Sequence, residues 1–96
     1  SGYNISPQDV EKTVLEHPSV AECAIIGIDD EARGKIVRAC VVLNTGDEEN
    51  DATKKSIQDF VKQTIAPYKY PRDIRFYDSL PRTATGKIQR FHLRDD

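Results

Sequence analysis

Val20-Ala21-Glu22-Cys23-Ala24-Ile25-Ile26-Gly27-Ile28 is the stretch that decides the fold. Its centre, Cys23-Ala24-Ile25-Ile26, is an unbroken apolar run where a half-exposed strand would alternate apolar with polar residues. Such a run reads as a strand buried on both faces. A polar loop, Asp29-Asp30-Glu31-Ala32-Arg33-Gly34, leads to a second, valine-rich strand over Ile36–Leu43. Two consecutive buried strands need covering layers, and the flanking sequence supplies amphipathic ones.

Upstream, Ser6 is a suitable N-cap, Pro7 suits the first helical position, and Asp9 completes an S-x-x-D capping pattern. Ile5 and Val10 have the spacing of a hydrophobic staple. Val10, Val14 and Leu15 form the apolar stripe, and His17-Pro18 ends the segment, so a helix is expected over 7–16. Downstream, Asn44-Thr45-Gly46-Asp47 and Glu48-Glu49-Asn50-Asp51 make a solvated turn. Ile57, Phe60, Val61 and Ile65 then share one face of a second helix, expected over 52–65 and stopped at Ala66-Pro67. A short edge strand over 73–77, a loop over 78–87 and a final helical turn from Arg90 to Arg94 complete the chain. The order α-β-β-α-β reads as an α+β fold: a small two-layer domain with a mixed β-sheet packed by two to three helices.

Ninety-six residues make one domain, spanning residues 1–96, with a modest core of its own. The hydrophobic fraction of 38% is lean for a free-standing globule, which suits a small domain resting against a larger body. The chain contains no Met and begins Ser1-Gly2, as a processed terminus or an excised fragment would, and a fragment of a longer protein is the favoured expectation. A net charge of −2, with 14 basic residues spread along the chain, argues against a nucleic-acid partner. No apolar run approaches the roughly 20 residues a membrane span needs. Cys23 and Cys40 sit in separate apolar segments without C-x-x-C spacing, as buried thiols do in a reducing, cytoplasmic compartment. His17 and His92 lack carboxylate or cysteine partners at ligand spacing, so no metal site is expected, and both read as surface or capping residues.

The chemistry-bearing stretch is Pro81-Arg82-Thr83-Ala84-Thr85-Gly86-Lys87-Ile88-Gln89-Arg90. It places Lys87 at the tip of a loop where Gly86 lets the backbone bend or approach a bound cofactor closely, and Thr83 and Thr85 add hydroxyls without bulk. A lysine there is a compact charge able to neutralise phosphate or carboxylate oxygens. An exposed loop lysine is the ordinary alternative, and the pattern is not a phosphate-binding P-loop, since Ile88 follows the lysine. Tyr68-Lys69-Tyr70-Pro71-Arg72 reads mainly as structural, its rings covering the sheet edge. Lys62, on the polar face of the second helix, reads as a solvated charge.

Taken together, several segments resemble one family along essentially the whole chain. Ser1-Gly2-Tyr3-Asn4-Ile5 with Val10-Glu11, and His17-Pro18-Ser19-Val20-Ala21-Glu22, are similar to the start of the small C-terminal domain of AMP-forming acyl-CoA synthetases. Asp29-Asp30 to Gly34, Arg38 to Leu43, Ala66-Pro67-Tyr68-Lys69-Tyr70-Pro71-Arg72 and Leu80 to Arg90 continue the likeness in family order. The last two most resemble benzoate- and aminobenzoate-CoA ligases, with medium-chain acyl-CoA synthetases close behind. The resemblance implies a lid domain working with its own N-terminal adenylation domain on a small carboxylic acid. ATP, CoA and Mg2+ would be bound mainly through that larger domain. It implies that Lys87 is the catalytic lysine of adenylation, that Gly2 and Tyr3 line the pantetheine channel, and that Lys62 lies near the CoA nucleotide phosphate. Asn4 stands where relatives often carry Arg, and the family's hinge precedes Ser1, so the isolated chain is expected to fold without turning over. The rival readings are the lid of an adenylation domain serving a carrier protein and a non-catalytic interaction module.

Overall fold

The computed structural model describes residues 6–32, 34–65 and 70–94. Ile5 of the expected staple, and Gly2 and Tyr3 of the expected CoA channel, lie outside them, as do residues 66–69. The elements run α1 (Pro7–Leu15), β1 (Val20–Asp30), β2 (Gly34–Leu43), α2 (Asp51–Thr64), β3 (Asp73–Phe76) and α3 (Arg90–Arg94). The strands form a sheet of order β1-β2-β3, with β1 antiparallel to β2 and β3 parallel to β2. Helix α2 is the crossover that a parallel β2–β3 pair requires.

The helices start where their caps dictate. The Ser6 hydroxyl accepts from the Asp9 N–H at 3.4 Å, and Pro7 occupies the first turn. The Asn50 side chain accepts from the Thr53 N–H at 2.9 Å, making Asn50 the cap of α2 rather than a residue of a solvated turn. The expected polar loop at 29–34 is shorter than the sequence suggests. Asp29 and Asp30 stay in the ladder, Asp30 pairs with Gly34, and the Asp30 carboxylate accepts from the Ala32 N–H. Gly34 absorbs the reversal at φ +80°, a left-handed conformation that favours glycine.

Strand β1 is buried on both faces, as its apolar run requires. Cys23 and Ile25 point into one core with Val10 and Val14 of α1, Ile57 and Val61 of α2, Ala39, Val41 and Ile74. Ala24 and Ile26 point the other way, into a second core with Cys40, Leu80 and Leu93. Thus α1 and α2 make the helical layer, while α3 and the segment before it cover part of the opposite face. Val20 and Cys23 share the first core although they are three residues apart, which strict alternation forbids. A register shift between Val20 and Glu22 restores them to one side. The two thiols face opposite cores, since Cys23 lies opposite Val41 and Cys40 opposite Ala24. Burial pushes the Cys23 thiol far above its usual range. Among the described residues no helix is long and apolar enough to cross a membrane.

His17 departs from the surface role expected of it: it is only 7% exposed and joins α1 to α2. Its Nδ1 accepts from the Ser19 N–H at 3.1 Å, its Nε2 faces Ser56 Oγ at 2.9 Å, and its ring meets Phe60 edge-on. An accepting Nδ1 has no room for a proton, so the neutral ring with hydrogen on Nε2 fits both contacts. Burial lowers the His17 pKa from 6.5, only partly opposed by Asp47. A lowered folded-state pKa means that the unfolded chain binds the proton more readily, so this contribution is complete above pH 6.5 and fades as pH falls below it. Thermal unfolding should therefore show stability declining below pH 6.5, above the range where carboxylates titrate. His17→Gln should lose that step; an unchanged pH slope in the variant would show the ring to be uninvolved.

Candidate active site

The segment from Leu80 to Leu93 crosses the face opposite α1 and α2, anchored at each end by those two buried leucines. Between them the chain forms a small hairpin. The Thr83 N–H donates to the Lys87 carbonyl at 2.8 Å, and Arg82 bridges Ile88 in antiparallel fashion. The Gln89 N–H donates to the Pro81 carbonyl at 2.9 Å, and the Gly86 N–H to the Thr83 carbonyl, also at 2.9 Å. Ala84, Thr85 and Gly86 thus form a three-residue connection whose last residue is left-handed, with Gly86 at φ +89°. The tip is Thr85-Gly86, and Lys87 is the first residue of the returning leg rather than the tip itself. The reason is local: glycine takes the only positive φ of the turn, so the lysine after it re-enters the ladder.

Side chains stiffen this turn. Thr83 Oγ1 accepts from the Lys87 N–H at 3.1 Å and lies 3.0 Å from Thr85 Oγ1. Arg82 donates through one Nη to the Gly86 carbonyl at 2.8 Å and through the other to the Glu22 carboxylate on β1. Arg90, just past the turn, donates to Glu11 Oε1 of α1 at 2.9 Å. The same Glu11 oxygen accepts from the Ile25 N–H at 3.3 Å. Lys87 is exposed and, among the described residues, forms no ion pair. Its side chain borders a cleft of about 400 Å³ whose other walls include Thr83, Ile88, Phe91 and Arg94. Phe91 is 57% exposed, an unusual position for a large apolar ring. The arrangement is a rigid turn offering one unpaired ammonium beside a cleft.

Lys62 lies elsewhere. It sits on α2, across the sheet from Lys87, with its ammonium 4.3 Å from the centre of the Tyr70 ring and 3.8 Å from Asp59. Arg72 lies 4.6 Å from the same ring centre and donates to the Tyr70 hydroxyl. Residues 71 and 72 are held against α2 by Gln58, whose amide donates to the Pro71 carbonyl at 3.0 Å. Lys62, Tyr70 and Arg72 are therefore one cluster, which the sequence reading treated as two unrelated features. The signal that joins them is Gln58, one helical turn before Lys62 on α2, but it has no distinctive pattern in sequence. The two basic sites, Lys87 and Lys62, are kept on opposite faces of the sheet. Among the described residues no three His, Cys, Asp or Glu side chains gather as a metal cage.

Gly86→Ala isolates the role of the backbone. A Cβ at Gly86 meets nothing within 4 Å, so any penalty comes from φ alone. The substitution should disfavour the turn by about 1–2 kcal/mol and increase amide exchange at Gly86 and Lys87, while thermal stability of the two cores changes little. Unaltered exchange at Lys87 would show that the turn is not set by glycine.

Known proteins resemble this chain along nearly its whole length. The AMP-binding enzyme C-terminal domain profile matches residues 9–87. An uncharacterized acyl–CoA ligase of Bacillus subtilis, YtcI, is 50% identical over 94 residues, covering 98% of this chain and 18% of its own length. Human mitochondrial acyl-coenzyme A synthetase ACSM3 is 49% identical over 98% of this chain and 16% of its own. Among solved structures, the acyl-CoA synthetase of Brucella canis superposes with a TM-score of 0.91 at 44% identity, covering 99% of this chain and 18% of that one. A benzoate CoA ligase from Burkholderia xenovorans LB400 superposes with a TM-score of 0.85 at 46% identity, covering 93% of this chain and 18% of that one. The chain thus spans less than a fifth of the length of these relatives.

Proposed function

This chain belongs to the AMP-binding enzyme C-terminal domain family, and on that premise we propose that residues 1–96 are the lid of an AMP-forming acid–CoA ligase. The observation that carries the reading is Lys87: one exposed ammonium, free of any ion pair among the described residues, on a turn braced from both sides. Two half-reactions follow. A carboxylate oxygen attacks the α-phosphorus of ATP, the bond to the β-phosphate oxygen breaks, and pyrophosphate leaves an acyl-adenylate. The CoA thiol then attacks the acyl carbon, AMP departs, and the thiol proton is lost.

Lys87 acts in the first of these. Attacking carboxylate and triphosphate are both anionic, and bringing them together opposes their repulsion. An ammonium placed between their oxygens offsets it and stabilises the charge that develops as pyrophosphate leaves. A preset turn matters because a positioned charge need not be reorganised during reaction. Gly2, Tyr3 and Lys62 are proposed to serve the second half-reaction, with Gly2 and Tyr3 against the pantetheine arm and Lys62 toward the CoA nucleotide phosphate. Placing Lys62 on the face away from Lys87 supports a lid that turns between steps, since no single orientation presents both faces to one site. The partner in both orientations is the larger N-terminal domain, whose pocket selects the acid.

The acid is proposed to be aromatic. Support comes from the benzoate CoA ligase and from an anthranilate CoA ligase, AuaEII, solved with anthranoyl-AMP, which superposes at 44% identity and a TM-score of 0.85. Medium-chain acids are the next candidates. A cytoplasmic site of action is part of the same proposal. The carrier-protein alternative is separated by the acceptor: the full-length enzyme should form thioester with CoA and not with a carrier-bound thiol.

The decisive variant is Lys87→Ala in the full-length enzyme. Acid-dependent exchange of pyrophosphate into ATP should fall by roughly 10²–10³-fold. Thioester formation from preformed acyl-AMP and CoA should be spared. Intact exchange in the variant would refute the catalytic role and leave the chain a non-catalytic interaction module; equal loss in both half-reactions would refute a role confined to the first. Of benzoate, anthranilate and octanoate, the aromatic acids should give the higher kcat/KM; a preference for octanoate would overturn the aromatic assignment.

A further inference from the structure

We infer that Arg82 and Glu22 are positioning residues for Lys87, forming a latch that fixes the lysine turn to the edge of the sheet. This rests on the reading of Lys87 as the adenylation lysine. Arg82 lies at the start of the hairpin, opposite Ile88, and its guanidinium makes two separate contacts. One Nη donates to the Gly86 carbonyl, inside the turn and immediately before Lys87, at 2.8 Å. The other donates to the Glu22 carboxylate, 60 residues earlier on β1. Glu22 is a ladder residue opposite Val42, next to the register shift at the start of β1, so the carboxylate is carried on a paired strand rather than on a loop. The chain of contacts is thus β1 backbone, Glu22, Arg82, Gly86 carbonyl, Lys87.

The pair is partly exposed, with relative side-chain exposures of 40% for Arg82 and 36% for Glu22. An ion pair that open to water contributes little to folding. Its effect is on where the turn sits. The hairpin's own hydrogen bonds fix the shape of the turn, but not its angle to the sheet. The Arg82–Glu22 contact is the polar link between them at this end of the segment, and Arg90–Glu11 is its counterpart beyond the turn. A planar fork meets the carbonyl and the carboxylate with two nitrogens held at a fixed spacing, whereas a lysine ammonium at position 82 would be a single point on a flexible stem. A small displacement of a reacting group costs rate out of proportion to any loss of stability.

The test is a set of substitutions in the full-length enzyme, read by half-reaction. Arg82→Ala and Glu22→Ala should each slow pyrophosphate exchange about 10-fold, through kcat with KM for ATP little changed. Melting temperature and thioester formation from preformed acyl-AMP should stay near wild type. Glu22→Gln, which keeps an acceptor oxygen, should recover most of the rate, whereas Arg82→Lys should not. In a Lys87→Ala background the Arg82 and Glu22 substitutions should have no further effect, because the group they position is gone. If Lys87→Ala is severe while Arg82→Ala and Glu22→Ala retain full exchange, the latch is wrong and the catalytic lysine stands. If Lys87→Ala is itself silent, both fall together. Equal losses in both half-reactions, or additive losses in the Lys87→Ala background, would mean a general structural role and would also overturn the latch.

Discussion

One oxygen of Glu11 holds the two faces of this domain in register. It accepts from the Ile25 N–H, on the outer edge of β1, and from Arg90 at the start of α3. An edge strand presents backbone groups that must be covered or left to water. Here the covering carboxylate comes from α1, on one face, and it captures an arginine of the segment lying on the other. Near the start of β1, Glu22 in turn accepts from Arg82. The hairpin that carries Lys87 is therefore held at both ends by arginines on carboxylates, one from α1 and one from β1, and its lysine is left for a partner. Charge is spent on geometry at positions 82 and 90 and kept available at position 87.

The two-faced burial of β1 explains how so small a domain can carry Lys87 and Lys62 on separate surfaces. A sheet with helices on one side only would leave its other side wet. Here Ala24, Ile26 and Cys40 make a second small core, closed by Leu80 and Leu93, and that core is the platform under the lysine turn. The first core, under α1 and α2, supports Lys62, Tyr70 and Arg72. The two basic sites are insulated from each other by the sheet, which suits two chemical steps served in turn rather than together.

Much of this was legible in sequence because it is written locally. The Cys23–Ile26 run announced burial on both faces, Ser6 and Pro7 marked the start of α1, and the spacing of Ile57 and Val61 marked the buried face of α2. The α+β order and the final turn at Arg90–Arg94 followed from the same signals. What escaped depends on contacts between distant residues. His17 looked like a helix-end residue because nothing near it in sequence foretells Ser56 or Phe60. The strand bulge near Glu22, the pairing of Lys62 with the Tyr70–Arg72 strip, and the Glu22–Arg82 contact belong to the same class. Lys87 stands out in sequence through its motif, but its place on the returning leg of the hairpin is set by Gly86 taking the left-handed position.

The central claim is that Lys87 bridges the two anions of the adenylation step. The most direct measurement is a crystal structure of the full-length enzyme holding a carboxylic acid and a non-hydrolysable ATP analogue, without CoA. The account predicts the Lys87 ammonium about 2.7–2.9 Å from both a carboxylate oxygen and an α-phosphate oxygen, with the 82–88 hairpin unchanged. Both substrates bound with Lys87 directed into solvent, and another basic side chain in its place between them, would contradict it.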